Sequence, residues 1–464
     1  MAILKMQRTQ TAGNQDKFTF STWIKKSLVG EGGADNDQVL LNGWVNGTNV
    51  MWFGFKANDT LNFENSIGGS NVGTLQTNRV FRDPSAWMHI LLVYDSANGT
   101  ADDRIQFWIN GVKETSMYAR SNPSSGQDCV LNGNTYKNNL FVYDYDSTDT
   151  KRFRGNLAQT ALFDGQAYTA TDFGSFDTTT GIWKPKGDGT LRALNFGTNG
   201  FLLTYENASY LGYDYKTSDR SSNNDFTTNG TGIQIKDNPS DNFATFNPLW
   251  KTTDGTPIYT NGNTTVREHQ NKFSISPSTL GMAKGKFYFE AKYLPSQEAY
   301  IGVIAGSRLN SIQSAGQTNM GYYDNSWGLY PSGDMYHNNG TGTGFSGTSY
   351  TSGDVVQVAL DMDNKKVYWG KNGTWMNSGV PTSGSTGTGA LTVTDDVYFF
   401  GISVNYDGVT TGAGHEGGFE CNFGAGCFGT TAVASAGTNA STIGTFEYDV
   451  PTGYTALSTK GLQE

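Results

Sequence analysis

The side chains that most often perform catalysis are few in this chain, and their spacing follows no catalytic pattern. The chain has four histidines, none in an H-E-x-x-H or comparable metal-ligand spacing: His89, His269, His337 and His415. We expect each of them to be structural or exposed. No G-x-S-x-G nucleophile elbow occurs, and a G-x-G-x-x-G at residues 342–347 lies in a Gly/Thr/Ser-rich turn with no helical pattern after it. Glycoside hydrolysis needs two facing carboxylates, and "FYFEAKYL" offers Glu290 alone. These residues predict a protein without enzymatic activity.

Acidic residues at alternate positions are a second group that could do chemistry. Such a pair can face one Ca²⁺ when its loop also supplies carbonyl oxygens. The candidates for a calcium site are two aspartate pairs: Asp35 with Asp37, and Asp144 with Asp146. A third pair, Asp361 with Asp363, has the same spacing. The alternative interpretation is that all of these are solvated turn residues, and we expect no other cofactor.

Tryptophan and tyrosine side chains near turns are the third group, because flat rings at a sheet edge can stack on sugar faces. In "KKVYWGK", alternation places Val367 and Trp369 on one face and Tyr368 on the other, so Trp369 is expected in the core. The candidate ligand-binding residues lie beside turns, where core and surface positions are both open: Trp327, Tyr330, Tyr336 and Trp375.

The composition of the chain favours many short strands over helices. It has 464 residues, with 59 glycines, 13% aromatic and only 16% charged residues. Such a length accommodates two or three domains, and β-sandwiches often exceed about 200 residues each. We therefore predict an all-β protein.

The charge and hydropathy of the chain exclude several kinds of partner. The formal net charge is -10, and the basic residues form no cluster longer than Lys25-Lys26 or Lys365-Lys366, so nucleic acid is not an expected partner. No apolar run is long enough to insert into a membrane, and "MAILKMQRTQTAG" is too short in apolar residues for a signal peptide. We expect synthesis in a cytoplasm. The three cysteines, Cys129, Cys421 and Cys427, are expected to be buried thiols and not a disulfide framework.

Two segments share the pattern of a β-hairpin followed by a tight turn. In residues 87–116 a hydrophobic strand ends in Asp, an aromatic strand follows, and Asn110-Gly111 reverses the chain. Residues 354–377 repeat this order and end with Asn372-Gly373. This echo predicts two antiparallel β-sandwich domains in tandem, of a jelly-roll-like kind.

The segment between the two domains is rich in Asn, Asp, Ser and Thr. We predict a first sandwich over residues 1–185, a connector over 186–265 and a second sandwich over 266–464. The connector is expected to pack on domain surfaces through a few anchoring aromatic residues: Phe226, Phe243, Phe246 and Trp250.

The two halves also resemble known families. "FTFSTWIKKS", "VFRDPSAWMHILLVYD", "DRIQFWINGVK" and "LFDGQAYTATDFG" resemble the laminin-G-like, concanavalin A-type jelly roll of virion proteins from marine tailed phages. "GKFYFEAKY", "YIGVIAG", "GDVVQVALDMDNKKVYWGKNGTW" and "FECNFGAGCF" resemble a SPRY domain. In that family the strand pair with its closing Asn-Gly is a signature of the fold. The connector's "DNPSDNFATFNPL" resembles the linker between such modules.

These resemblances imply a binding protein and not an enzyme, although a fold alone assigns no function. The leading hypothesis is a structural protein exposed on a tailed-phage virion that adheres to the host envelope, through glycans, as a tail fibre or appendage. The alternative is a capsid decoration or architectural tail component that packs on other virion proteins. The expected location is the virion, and symmetric copies there favour a homo-oligomer.

Overall fold

The computed structural model of the chain divides into two compact units, Met1–Gln234 and Ile235–Glu464. It describes residues 4–30, 36–143, 151–221, 224–250, 257–267, 273–294, 298–314, 319–340, 344–405 and 417–463. Each unit is built almost wholly from antiparallel strands, which confirms the predicted all-β class. Among the helices that the structure describes, none has the length and hydropathy needed to cross a bilayer.

The first unit contains sixteen strands and one short α-helix within the described residues. They are β1 Lys5–Thr9, β2 Lys17–Lys26, β3 Gln38–Asn46, β4 Asn49–Phe55, β5 Thr60–Ile67, β6 Ser70–Val80, β7 Met88–Asp95, β8 Ile105–Ile109, β9 Val112–Lys113, β10 Met117–Ser121, β11 Lys137–Leu140, β12 Gly155–Asp164, β13 Gly174–Phe176, β14 Trp183–Pro185, α1 Asp188–Arg192, β15 Phe201–Leu203 and β16 Thr227–Asn229. An eight-stranded sheet has the order β10-β6-β5-β4-β3-β11-β1-β16, and a six-stranded sheet has the order β15-β12-β2-β7-β8-β9.

The two sheets of the first unit pack face to face as a sandwich. Phe53 of the eight-stranded sheet contacts two rings of the other sheet, with centroids 6.1 Å from Phe20 and 5.5 Å from Phe107. Phe63 lies 5.8 Å from Tyr94 in the same way. Burial of each such ring contributes about 2 to 3 kcal/mol to stability. Because the strands supply this aromatic core, their sequences contain apolar residues at alternate positions or in continuous runs.

Residues 186–234 belong to the first unit, which differs from their predicted place in a surface connector. The segment supplies β15, which pairs with β12, and β16, which pairs with β1. Phe226 is fully buried, and its ring lies 4.8 Å from Phe201 in the core. The predicted boundaries missed this because the two added strands are only three residues long and stand in a polar background.

In the parts of the second unit that the structure describes, there are sixteen further strands and one longer α-helix. They are β17 Ile258–Thr260, β18 Thr265–Arg267, β19 Ser274–Pro277, β20 Lys286–Leu294, β21 Glu298–Ala305, α2 Gly306–Ser314, β22 Ser326–Leu329, β23 Met335–His337, β24 Val355–Asp361, β25 Lys366–Lys371, β26 Thr374–Trp375, β27 Leu391–Thr392, β28 Tyr398–Asn405, β29 Gly418–Asn422, β30 Cys427–Phe428, β31 Thr431–Ala432 and β32 Thr455–Ala456. A nine-stranded sheet runs β17-β18-β29-β20-β24-β25-β26, with β27 on β25 and β32 on β20, and a five-stranded sheet runs β19-β28-β21-β22-β23.

Trp369 of β25 joins the two sheets of the second unit. Its side chain is completely buried, as its alternation with Tyr368 predicts. The indole N–H donates a 3.1 Å hydrogen bond to the carbonyl of Ile301 in the five-stranded sheet. Beside it, the rings of Phe289 and Phe400 pack against each other across the interior, with centroids 4.4 Å apart. The second sandwich is thus closed by one aromatic layer that also satisfies a buried polar group.

Both predicted Asn-Gly turns have the backbone that this sequence requires. Asn110 and Gly111 have φ of 47° and 81°, and Asn372 and Gly373 have φ of 48° and 83°. Positive φ at both central residues matches the twist of a two-residue hairpin, and Asn and Gly adopt it at least cost. The predicted hairpins β7–β8 and β24–β25, each continued through such a turn, are therefore confirmed.

The start of the second unit also takes residues from the predicted connector. Phe246 and Phe243 are buried in its cores, whereas Trp250 is half-buried against the outer face of the five-stranded sheet. Cys129, Cys421 and Cys427 are free and buried in their units, as expected from the sequence.

Replacing Trp369 tests how much this one aromatic residue contributes to the stability of the second sandwich. Trp369→Phe removes the hydrogen bond to Ile301 and leaves a cavity, so we expect the free energy of unfolding of this unit to fall by about 2 to 4 kcal/mol. Trp375→Phe, at a half-buried site, should cost less than about 1.5 kcal/mol. Urea unfolding of the full chain followed by circular dichroism measures both variants, and equal effects would contradict this role of Trp369.

Candidate functional site

The outer face of the five-stranded sheet has a composition unlike its inner face. Three glycines lie side by side across neighbouring strands: Gly401 on β28, Gly302 on β21 and Gly328 on β22. Tyr336 on β23 is the next residue in this row. A Cβ atom at Gly328 would lie 2.6 Å from the carbonyl oxygen of Met320. The glycines therefore form a groove that lets the segment 319–325 lie directly on the sheet.

Hydrogen bonds fix this segment on the sheet. Ser326 Oγ accepts from the N–H of Gly321 at 2.9 Å, and Met320 is completely buried over the glycines. The turn after β23 also holds the segment in place, because the N–H of Asn338 donates to the carbonyl of Tyr323 at 3.3 Å. The position of two consecutive tyrosines, Tyr322 and Tyr323, follows from these contacts.

Five tyrosines meet on this outer face, and we name them the tyrosine face: Tyr300, Tyr322, Tyr323, Tyr330 and Tyr336. Ring centroids of Tyr300 lie 5.0 Å from Tyr330 and 5.1 Å from Tyr336, and Tyr322 lies 5.1 Å from Tyr323. Tyr300 is buried beneath the others, Tyr323, Tyr330 and Tyr336 are half-buried, and Tyr322 is 38% exposed. The face is thus a packed aromatic layer with an accessible upper side.

Three hydroxyls of the tyrosine face have no hydrogen-bond partner among the residues that the structure describes: those of Tyr322, Tyr323 and Tyr336. An ion pair stands next to them, because Arg308 of α2 donates to Asp324 at 2.6 Å. A ligand that lies on this face can stack on rings and accept or donate hydrogen bonds at their edges. Such a combination suits a sugar ring or a polar peptide loop.

Two of the four predicted ligand-binding residues, Tyr330 and Tyr336, lie together on the tyrosine face. Trp327 is on the same sheet but on its inner side, where it is 9% exposed and stacks on His337 at 3.5 Å. His337 is fixed there because its Nδ1 donates to the carbonyl of Ser326 at 3.0 Å. This position favours a packing role for Trp327, although ligand binding by it stays a prediction.

Trp375, the fourth predicted residue, lies on the other sheet of the second unit. It stands on β26 and is half-buried, with its ring 6.4 Å from Tyr288 and 6.5 Å from Tyr368. The structure therefore does not bring it together with Tyr330 and Tyr336. Tyr322, Tyr323 and Tyr300 were missed by sequence reasoning, and the consecutive "YY" of residues 322–323 after a Gly was the signal that could have found two of them.

The predicted calcium site receives no support from the described aspartates. Asp37 accepts from the N–H of Ala57 at 2.8 Å and pairs with Lys151 at 3.1 Å, so both of its oxygens are engaged. Asp35, Asp144 and Asp146 lie outside the described residues. Within the described ranges no group of three His, Cys, Asp or Glu side chains is arranged to hold a metal. Calcium binding stays a prediction.

His89, the histidine of the first unit, contacts a serine side chain. The positions of the two residues in the sequence did not predict this contact. His89 Nε2 lies 2.9 Å from Ser21 Oγ, and the indole N–H of Trp183 donates to Nδ1 at 3.3 Å. Complete burial lowers the pKa of His89 to about 3, which keeps the imidazole neutral. Because Ser21 and His89 are both buried among aromatic rings, we interpret this pair as structural. His269 and His415 lie outside the described residues.

Glu290 is buried on the outer face of β20 and holds the chain near its C-terminal end. Its Oε1 accepts from the Tyr288 hydroxyl at 2.9 Å and from the N–H of Tyr448 at 2.8 Å. Its Oε2 accepts from the N–H of Glu447 at 2.8 Å. Burial raises the pKa of Glu290 to about 7, against the opposing effect of the three donors. This carboxylate serves as a structural anchor.

Comparison with known families assigns part of the second unit. Residues 286–398 match the family model of the SPRY domain. The chain therefore contains a SPRY domain, which begins with the first residue of β20, ends with the first residue of β28, and includes all five residues of the tyrosine face. Such domains are typically binding modules without catalytic activity. A search among curated proteins gave no match.

Solved structures with similar folds share little sequence with this chain. The SPRY domain of human HERC1 is 16% identical and covers 38% of this chain and 94% of its own, with a TM-score of 0.28. A heptameric SAP-like pentraxin from Limulus polyphemus is 15% identical over 36% of this chain and 72% of its own, with a TM-score of 0.26. A Bacteroides ovatus protein provisionally described as carbohydrate binding is 15% identical over 50% of this chain and 57% of its own, with a TM-score of 0.32.

The raised pKa of Glu290 predicts a pH dependence of stability. Glutamate in the unfolded chain has a pKa near 4.5, so between pH 4.5 and 7 the folded state binds more protons than the unfolded state. The free energy of unfolding should therefore fall as pH rises through this window, by up to about 3 kcal/mol. In Glu290→Gln this part of the slope should be absent. Urea unfolding at several pH values measures both proteins, and an unchanged slope in the variant would contradict the assignment.

Proposed function

We propose that the protein is a non-enzymatic structural protein of a phage virion, exposed on the particle, that adheres to the host envelope by binding glycans. The tyrosine face is the proposed contact surface. One observation carries the proposal: within a SPRY domain, half-exposed rings lie beside tyrosine hydroxyls that have no partner in the described chain. The phage location is supported by the resemblance of the first unit and the linker to modules of phage virion proteins.

The physical basis for glycan binding is the pairing of ring surface with free hydroxyls. A pyranose ring has an apolar side that can lie on Tyr336 or Tyr322, and its hydroxyls can bond the phenolic oxygens without displacing an internal partner. The rings keep fixed positions because Tyr300 and Met320 pack beneath them, so little side-chain entropy is lost on binding. The surface is shallow, so affinity should depend on several copies binding together.

Removal of single hydroxyls tests the contact surface without disturbing the core. Tyr336→Phe and Tyr323→Phe keep both rings but delete the unpaired hydroxyls, and each should weaken binding to host polysaccharide by about two- to tenfold. Tyr118→Phe, at a strongly exposed tyrosine of the first unit, is the matched control and should leave binding unchanged. Glycan arrays and pull-down with host envelope fractions measure this. Absence of saturable binding to any host fraction would overturn adhesion.

A second candidate function, capsid decoration or an architectural tail role, is favoured by an apolar patch on the first unit. Val112, Phe176 and Ile182 are 60%, 51% and 59% exposed. They lie near Trp183 in the chain or in space: the Phe176 ring is 4.9 Å from it, Ile182 directly precedes it, and a Cβ at Gly111, the neighbour of Val112, would lie 2.4 Å from its indole. Exposed apolar groups of this kind suit packing on another virion protein.

The patch can be tested separately from the tyrosine face. The double change of Phe176 and Ile182 to Ser should lower the number of copies incorporated per particle several-fold if the patch packs on the virion, while glycan binding stays intact. Quantitative mass spectrometry of purified particles measures the copy number. Incorporation at the unmodified level would contradict the architectural role of this patch.

Immunogold labelling of intact particles tests the proposed location. Gold at the tail tip or fibres supports adhesion, gold over the head supports decoration, and particles without label under conditions where the purified chain reacts would contradict a virion location.

A further inference from the structure

An open cavity of about 400 Å³ lies in the first unit, far along the chain from the tyrosine face. It forms where the loop between β1 and β2 meets the end of β12 and the turn before β15. Its lining consists of Ala12, Gly13, Asn14, Asp164, Gly197 and Thr198. A volume of this size is in the range of small-molecule sites.

Two glycines that line the cavity bring the backbone close to Asp164. A Cβ atom at Gly13 would lie 2.2 Å from Asp164 Oδ2, and one at Gly197 would lie 2.2 Å from the Asp164 carbonyl oxygen. Gly197 also has φ of 65°, a conformation that glycine adopts most easily. A larger residue at either position would clash with Asp164.

Asp164 lines this cavity and is almost completely buried. Its carboxylate can accept at least one more hydrogen bond than the protein supplies. Its Oδ1 accepts from the N–H of Asn14 at 2.8 Å, and its Oδ2 accepts from the N–H and side-chain amide of Asn199 at 2.9 and 3.4 Å. A carboxylate can accept about four hydrogen bonds, so one further donor can be accommodated. Because Asp164 is one of the residues that line the cavity, a molecule bound there can supply that donor.

The charge of Asp164 is partly balanced within the protein. Burial lowers the pKa of Arg8 to about 10, while the negative charges of Asp214 and Asp164 oppose this shift. A carboxylate with a nearby guanidinium attracts a second cation weakly. A neutral hydroxyl donor therefore suits this position better than a metal ion.

Two further groups in the cavity have hydrogen-bonding atoms without a protein partner in the described part of the chain. Asn14 Oδ1 accepts from the N–H of Lys17 at 2.7 Å, which leaves its side-chain NH₂ free. The Thr198 hydroxyl is free as well, while its backbone carbonyl is held by Asn224 at 2.9 Å. The cavity thus presents an acceptor, a donor and a group that can do both.

We propose that this cavity binds one sugar unit through neighbouring hydroxyls. One hydroxyl donates to Asp164 and accepts from the Asn14 amide, and the next bonds Thr198, while the glycine backbone and Ala12 contact the ring. Adjacent ring hydroxyls can each donate and accept hydrogen bonds, whereas a single charged group cannot do both. This site lies in the first unit and does not depend on the function proposed for the tyrosine face.

The test uses the full chain and a panel of methyl pyranosides of glucose, galactose, mannose, N-acetylglucosamine and rhamnose. Saturation-transfer NMR should detect saturable binding of at least one of them. Thr198→Val removes the hydroxyl with little change of volume, and Asn14→Asp keeps the oxygen that binds Lys17 but removes the amide donor. Each should weaken binding about fivefold or more.

Asn207→Asp is the matched control, because Asn207 Oδ1 likewise accepts backbone N–H groups in a turn, from Ser209 and Tyr210. It should bind like the unmodified chain. The proposal is overturned if no pyranoside binds, or if binding is unchanged in both Thr198→Val and Asn14→Asp. It is also overturned if binding is lost in Tyr336→Phe but kept in the cavity variants, which would place the sugar on the second unit.

Discussion

The alternation of side chains along a strand is the constraint on which both units depend. It sends Trp369 into the interior of the second sandwich and its neighbour Tyr368 to the opposite face. The same rule separates Trp327 from Tyr336 on adjacent strands of the other sheet. A shift of register by one residue would exchange core and surface over the whole sheet, which makes the buried aromatic layer the strongest determinant of register.

The outer faces of the second sandwich are used in two different ways. The face of the nine-stranded sheet is covered by residues 446–456, held by Glu290 and by packing on Tyr288 and Tyr368. The face of the five-stranded sheet is covered only in part, because the segment around Met320 lies in the glycine groove and leaves tyrosine rings at its margin. Complete covering stabilises the fold, whereas partial covering leaves a rigid and accessible aromatic surface suited to binding.

Several features were predictable from the sequence because they depend on local patterns. The all-β class, the two Asn-Gly hairpins and the burial of Trp369 follow from alternation and turn chemistry, and the resemblance to a SPRY domain is confirmed over residues 286–398. The limits of the units were less predictable, because β15 and β16 are short strands that gain their stability from partners about 40 and 220 residues away in the chain.

The candidate sites were only partly predictable for the same reason. Tyr330 and Tyr336 were candidates because they stand beside turns, but the position of Tyr322 and Tyr323 depends on a segment that folds back over Gly328 and Gly401. The cavity at Asp164 is built from residues about 150 positions apart, and each of them reads as an ordinary turn residue. Local spacing carries no information about such tertiary contacts.

Hydrogen–deuterium exchange of the full chain, with and without saturating polysaccharide from the host envelope, tests the central claim most directly. That claim is that the partly covered outer face of the SPRY domain is the recognition surface. The account predicts slower exchange of amides in residues 319–340 on binding, with the core strands β20 and β24 unchanged. Bound polysaccharide that leaves residues 319–340 unprotected would contradict it.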